Sequence, residues 1–273
     1  MNRVLAHCGA RYPIVQAPMG WIARSSLASA VSQAGGLGII ETSSGETEAC
    51  QAEITKMRAL GLPFGVNLPI RFLKDDAMLR FVCTSGVRFV TTSAGSPAKF
   101  IAPLHDAGIV VYHAVPTLDA ALKSVDAGVD GLVVEGSEGG GFKNPEEVST
   151  LVLLQAVRER VDVPLIAAGG IIDGRGMAAA FALGAEGIQM GTRFVSSAES
   201  PVHAHYKNAI VEAEALTTGL PATYIYDLAY AEDGTGDIYA AAETGAWRFV
   251  RTSGTWVNIL EANTPITLFW SVE

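Results

Sequence analysis

Short aliphatic runs alternate with longer helix-patterned segments along most of this chain, and the pair recurs eight times. The runs fall at residues 13–17, 37–40, 64–68, 88–92, 109–113, 131–135, 164–168 and 187–190. Parallel strands covered on both faces read as continuous aliphatic and β-branched stretches. The segments predicted as helices are 24–33, 47–60, 74–83, 97–107, 117–127, 145–161, 174–183 and 201–215. In the longest, Pro145 suits a first helical turn, and Glu146 and Glu147 suit its positive dipole end. Four of these helices end in near-repeats such as Ala107-Gly108 and Leu183-Gly184. Glycine just past a helix is the left-handed cap that turns the chain into the next strand.

Eight such units within ~200–250 residues predict an α/β fold of the TIM (β/α)8 barrel type. An open doubly wound sheet usually carries G-x-G-x-x-G after its first strand. Here that position reads Ala17-Pro18-Met19-Gly20-Trp21. The barrel is assigned to residues 1–216, with an atypical C-terminal extension of unknown role over 217–273. That extension has no Lys, yet it holds three of the four Trp and four of the seven Tyr. Patches around 247–252 and 255–257 alternate as hairpin strands do.

Composition narrows the function classes. Nineteen Lys and Arg stand against 28 Asp and Glu, a formal charge of −9, so the basic footprint of a nucleic-acid binder is missing. No ~18-residue apolar run predicts a membrane span, and the first residues do not resemble a signal peptide. A cytoplasmic enzyme of small molecules is expected. Cys8, Cys50 and Cys83 are odd in number and far apart, which suits neither a disulfide framework nor a metal site.

In a barrel of this kind the site lies at the C-terminal ends of the strands. The seventh and eighth runs end in Gly169-Gly170 and Gly191-Thr192. A glycine pair often only turns a chain. Two pairs on adjacent loops favour a cradle of bare backbone N–H groups for a phosphate. Met19 and Gly20 are compatible with a flat ring against backbone, and Asn67 could bond a polar ring edge. His113 ends the fifth run. The loop after the sixth run carries Glu135, Glu138, three consecutive glycines and Lys143. It is expected to act as a lid over the site, with Glu135 and Glu138 as candidates to orient it. His113, Lys143 and Glu138 form the candidate catalytic set.

Several motifs together resemble one family. They are Gln16-Ala17-Pro18-Met19-Gly20, Phe64-Gly65-Val66-Asn67, Glu135-Gly136-Ser137-Glu138-Gly139-Gly140, the segment 167–175 and Gly187-Ile188-Gln189-Met190-Gly191-Thr192-Arg193-Phe194. Over about residues 10–215 the chain resembles the nitronate monooxygenases, a family that also takes in flavin-dependent enoyl-acyl-carrier-protein reductases and NAD(P)H:quinone reductases. The resemblance implies non-covalent FMN. Its phosphate is expected on Gly169, Gly170, Gly191 and Thr192, and its ring near Ala17, Pro18 and Met19, with Asn67 at a polar edge.

In the family a His follows the Gly-Gly of the sixth loop, whereas this chain reads Gly139-Gly140-Gly141-Phe142, so Phe142 or Gly141 stands where that His is expected. A neutral nitroalkane must lose a carbon-bound proton to a positioned base, a contribution of ~10²–10⁴-fold. A preformed alkyl nitronate is already an anion and needs only an electron acceptor and a polar environment. Oxidation of alkyl nitronates with O2 is therefore the leading expectation. An NAD(P)H-dependent flavin reductase of quinones or enoyl thioesters is the second reading, and a flavin-binding barrel impaired in catalysis is the third.

Overall fold

The computed structural model describes residues 2–141, 147–216, 225–230, 237–242, 245–250, 253 and 255–258. The chain divides into two compact units, residues 1–201 and 202–273. The first holds eight parallel strands: β1 (Ile14–Gln16), β2 (Gly38–Ile40), β3 (Phe64–Pro69), β4 (Phe89–Ser93), β5 (Val110–Val115), β6 (Gly131–Glu135), β7 (Leu165–Ala168) and β8 (Gly187–Met190). Their order is β1-β8-β7-β6-β5-β4-β3-β2. The helices are α1 (Arg3–Cys8), α2 (Ser25–Gln33), α3 (Thr47–Ala59), α4 (Ala77–Thr84), α5 (Ala98–Asp106), α6 (Leu118–Asp126), α7 (Thr150–Arg158), α8 (Gly174–Ala182) and the single turn α9 (Thr192–Val195). This is a TIM (β/α)8 barrel.

The seam between β1 and β2 is short, and a side chain reinforces it. Gln16 N–H donates to Leu37 O and Leu37 N–H to Ile14 O, both at 2.9 Å. The fully buried Gln16 amide then takes the place of a further peptide group. Its Nε2 donates to Ile39 O at 3.1 Å, and its Oε1 accepts from Ile39 N–H at 3.3 Å. A buried amide left unpaired there would cost a few kcal/mol, so Gln16 serves barrel closure.

Side chains alternate across each strand. Val15, Leu37, Ile39, Phe89, Tyr112, Val133, Ile166 and Ala168 form the interior cluster, which Val4 and Cys8 of α1 join from below. A larger cluster, including Val66, Val90, Val111, Val115, Val134 and Ile188, lies between the strands and the outer helices. Glycines make room inside. A Cβ on Gly131 would lie 2.4 Å from the Tyr112 ring, and one on Gly65 would lie 2.6 Å from Ile39. The Tyr112 and Phe89 rings meet at 4.9 Å between centroids, and Tyr112 Oη lies 3.0 Å from His7 Nδ1 of α1.

Two local findings differ from the sequence pattern. Helix α1 is short, but Asn2 caps its start by accepting from Leu5 N–H at 3.0 Å, and Gly9 closes it in the left-handed region. Helix α7 starts at Thr150, with Ser149 extended before it and Glu147 at φ 51°. The first turn expected at 145–147 is therefore not helical at Glu147, while Pro145 and Glu146 lie outside the described residues.

The second unit contains α10 (Ala204–Leu216) and four antiparallel strands, β9 (Ile225–Tyr230), β10 (Ile238–Ala242), β11 (Gly245–Val250) and β12 (Thr255–Asn258), in the order β12-β11-β10-β9. Trp247 pairs with Asn258 and Val250 with Thr255. Arg248 Nε donates to the buried Asp237 carboxylate at 2.7 Å. Among the described residues, no helix is long and apolar enough to cross a membrane.

Candidate functional site

Strands β7 and β8 run in register, with Ala168 opposite Gln189, so the turns that follow leave the barrel side by side. Gly169 and Gly170 have φ of +102° and +67°, values that only glycine adopts without strain. Gly191 heads the single turn α9. Among the described residues, the N–H groups of Gly169, Gly170, Gly191 and Thr192 donate to no protein acceptor. Four unused amides on two neighbouring turns are a donor set of the kind that suits an anion.

The β1 loop joins this rim. Ala17 N–H donates to Met190 O at 2.8 Å, and a Cβ on Gly191 would stand 3.8 Å from both Ala17 Cβ and Met19 Sδ. Ala17, Pro18 and Met19 are half-buried. Their loop is anchored by the fully buried Glu41, one residue past β2. Glu41 accepts from Trp21 N–H at 3.3 Å, Ser43 N–H at 2.6 Å and Ser44 N–H at 3.0 Å, and it pairs with Arg24 at 2.9 Å.

Asn67, on the inner face of β3, is 4% exposed. Its Nδ2 donates to Thr91 O at 3.2 Å and Thr91 Oγ1 at 3.0 Å. The amide orientation is thereby fixed, and Oδ1 is left without a protein donor among the described residues. Thr42 Oγ1 donates to Asn67 O at 2.7 Å and ties the ends of β2 and β3 together.

The candidate catalytic residues separate. His113 shares the outer face of β5 with Val111 and Val115, away from the barrel axis. Its Nδ1 lies 2.7 Å from Thr92 Oγ1, and the ring also bonds the Gly95 carbonyl. Burial holds its pKa down at about 4. Neutral and bonded through Nδ1 to Thr92, His113 joins β5 to β4. Glu138 Oε2 accepts from both Thr150 N–H and Thr150 Oγ1 at 2.9 Å. It lies at the N-terminus of α7, where the helix dipole favours a negative charge. A Cβ on Gly170 would lie 3.4 Å from Glu138 Cβ and Cγ, so this side chain packs against the glycine turn. Lys143 and Phe142 lie outside the described residues.

Several contributors escaped the sequence reading. Thr91, Thr42 and Thr150 are ordinary residues in an ordinary pattern, and only their partners give them roles. Glu41 left a trace: it is a carboxylate directly after an aliphatic run, two residues from the inward-facing Ile39.

The residues present fit a phosphate-bearing flavin. The free amides suit the phosphate, and Asn67 Oδ1 offers an acceptor on the same rim. The group of ionisable side chains needed to hold a metal is absent among the described residues.

Known proteins supply an independent comparison. The nitronate monooxygenase family profile matches residues 2–79 and 70–224. The chain is 41% identical over 197 residues to the (3aS,4S,5R,7aS)-5-hydroxy-7a-methyl-1-oxo-octahydro-1H-indene-4-carboxyl-CoA dehydrogenase of Rhodococcus jostii (strain RHA1), covering 71% of this chain. It spans little more than half the length of that enzyme and of its Mycobacterium tuberculosis counterpart, 55% and 58%. To the nitronate monooxygenase of Pseudomonas aeruginosa it is 33% identical over 262 residues, covering 79% of this chain and 75% of that one. All these relatives are named as oxidoreductases. Among solved structures, FabK from Thermotoga maritima superposes with a TM-score of 0.75 at 40% identity, over 82% of this chain and 70% of the other. The nitroalkane oxidase of Streptomyces ansochromogenes gives 0.71 at 31% identity, over 76% and 72%. With its barrel, its paired glycine turns and a profile match across most of its length, the chain belongs to the nitronate monooxygenase family.

Proposed function

We propose that the protein is an FMN-dependent oxidoreductase that oxidises alkyl nitronates with O2. The observation that carries this reading is the set of four unused backbone amides at Gly169, Gly170, Gly191 and Thr192. Main-chain donors of this kind bind a phosphate without a lysine and at no side-chain ordering cost. Bound FMN would supply an acceptor for the substrate's electron pair and pass it on to O2. The residues here hold and orient. Asn67 Oδ1 would accept a hydrogen bond from the polar edge of the ring, and the Nδ2 bond to Thr91 holds the amide in place for it. Glu41 and Arg24 fix the β1 loop against which a ring would lie. A nitronate arrives as an anion, so this reading requires no base for it. We place the protein in the cytoplasm, where its three free cysteines stay reduced.

A second reading has its own support: the relatives with the higher identities are dehydrogenases named for a carboxyl-CoA compound. On that reading NAD(P)H or a thioester is the partner. Anaerobic reduction of the FMN-loaded protein separates the two. Rapid bleaching by propyl-2-nitronate, with NADH and NADPH slow, supports the nitronate reading. Bleaching by a nicotinamide alone replaces it with the reductase, and a protein that stays colourless after FMN addition defeats both.

A further inference from the structure

Gly131, Val133 and Glu135 share the inner face of β6. Val133 belongs to the interior cluster, and a Cβ on Gly131 would strike the Tyr112 ring inside the barrel. Strand parity therefore turns Glu135 toward the axis, at the mouth. Its partner on β7 is Ala168, directly before Gly169. The loop after β6 folds back over it: a Cβ on Gly139 would lie 2.2 Å from Glu135 Oε1, and one on Gly141 would lie 3.2 Å from it. The glycines after Glu135 are thus a close fit around a carboxyl group.

Among the described residues, two carboxylates at strand ends face the mouth, and their surroundings are opposite. Glu41 has Arg24 and a set of N–H donors. Among the described residues, Glu135 has one donor, the Gly141 N–H, and no cation. From β5 the inner side chain below it is Ala114, and from β7 it is Ala168. Among the described residues of its own loop, Glu138 is engaged by Thr150; Lys143 of that loop lies outside the described residues.

We propose that Glu135 is the proton acceptor of this site, so that the enzyme also takes neutral nitroalkanes; this rests on the nitronate reading above. The Glu135 carboxylate removes the proton from the carbon bearing the nitro group. The C–H electron pair moves onto the nitro group, leaving a nitronate anion and a Glu135 carboxylic acid. The acid returns its proton to water. Burial pushes the Glu135 carboxyl above its ordinary range. That makes its ionised form a stronger base than a solvated glutamate. Glu135 supplies the base from a strand end.

The test is anaerobic reduction of the FMN-loaded protein by 2-nitropropane and by propyl-2-nitronate, in wild type, E135Q and E135D. The nitroalkane-to-nitronate rate ratio should fall by ~10²–10⁴ in E135Q and recover in part in E135D. In the cofactor-free protein, carbon-13 NMR of labelled glutamate should show one carboxyl titrating above the ordinary range, and E135Q should lack it. An unchanged ratio in E135Q, or a spectrum with every glutamate in the ordinary range, overturns the proposal. Wild type reduced by nitronate but not by nitroalkane defeats Glu135 alone. Wild type that nitronate does not reduce defeats the nitronate reading.

Discussion

One carboxylate oxygen of Glu138 receives both the backbone N–H and the hydroxyl of Thr150, each at 2.9 Å. Ala168 O lies 2.9 Å from the same hydroxyl, whose one proton is shared between the two acceptors, so a single threonine links the β6 loop, the first turn of α7 and the end of β7. Thr150→Val removes only the hydroxyl, and Glu138→Ala removes both bonds and the charge at the helix start. Expected losses are about 1 kcal/mol for the first and about 2 kcal/mol for the second. Chemical denaturation measures both. Glu138→Ala should also weaken FMN binding, because Gly170 rests on that side chain. A variant of unchanged affinity would show that the glycine turn holds its own shape.

The free amides predict a strong preference for the phosphorylated cofactor. Hydrogen bonds to a charged group contribute about 1.5–3 kcal/mol each. Riboflavin, which lacks the phosphate, should therefore bind at least ~100-fold more weakly than FMN. Quenching of flavin fluorescence on titration reads both constants, and equal affinities would remove the phosphate from the account.

Gly170 and Gly191 should respond differently to alanine. Gly170 has φ +67°, and an L-residue there costs about 1–2 kcal/mol. At Gly191 a new Cβ meets its neighbours at 3.8 Å, an ordinary contact, with φ −105°. Gly191→Ala should keep wild-type stability, whereas Gly170→Ala should melt earlier. Thermal unfolding of the two purified variants decides it.

His113 makes the fold acid-sensitive. Its folded pKa is about 4, set by burial, against about 6.5 in an unfolded chain. Between those values the unfolded state binds a proton that the folded state refuses, so stability falls as pH drops through that window. The full difference amounts to about 3 kcal/mol, reached below pH ~4. Urea unfolding at pH 7 and pH 4.5 should show the loss in wild type and a smaller loss in His113→Asn.

Arg24 neutralises the buried Glu41 at 2.9 Å. Arg24→Met leaves that carboxylate without its counter-charge and should destabilise the barrel by about 3 kcal/mol. Adding Glu41→Gln should recover part of the loss. A double variant no more stable than Arg24→Met would show that the serine donors, not the ion pair, set the energy of this cluster.

The strands were legible because aliphatic runs covered on both faces have no competing pattern, and residues 37–40 or 131–135 read directly as β2 and β6. The glycine turns at 169–170 and 191 were legible for a similar reason, since two of them follow adjacent runs. Parity was not. Val110 to Val115 is apolar or aromatic on both faces, so nothing in the run tells that His113 points outward while Tyr112 points in. Only the packing of the Tyr112 ring against Phe89 and Gly131 fixes it. The start of α7 was misread because Pro145 and Glu147 carry good helix-start chemistry. The cap that actually sets it comes from Glu138, twelve residues before Thr150.

The lower end of the barrel is stoppered by Tyr112, Phe89 and the short helix α1, with Tyr112 Oη reaching His7. Traffic is consequently one-sided. On the proposed function, the reactants would therefore have to come and go at the strand tips, and an inhibitor lodged there would block both.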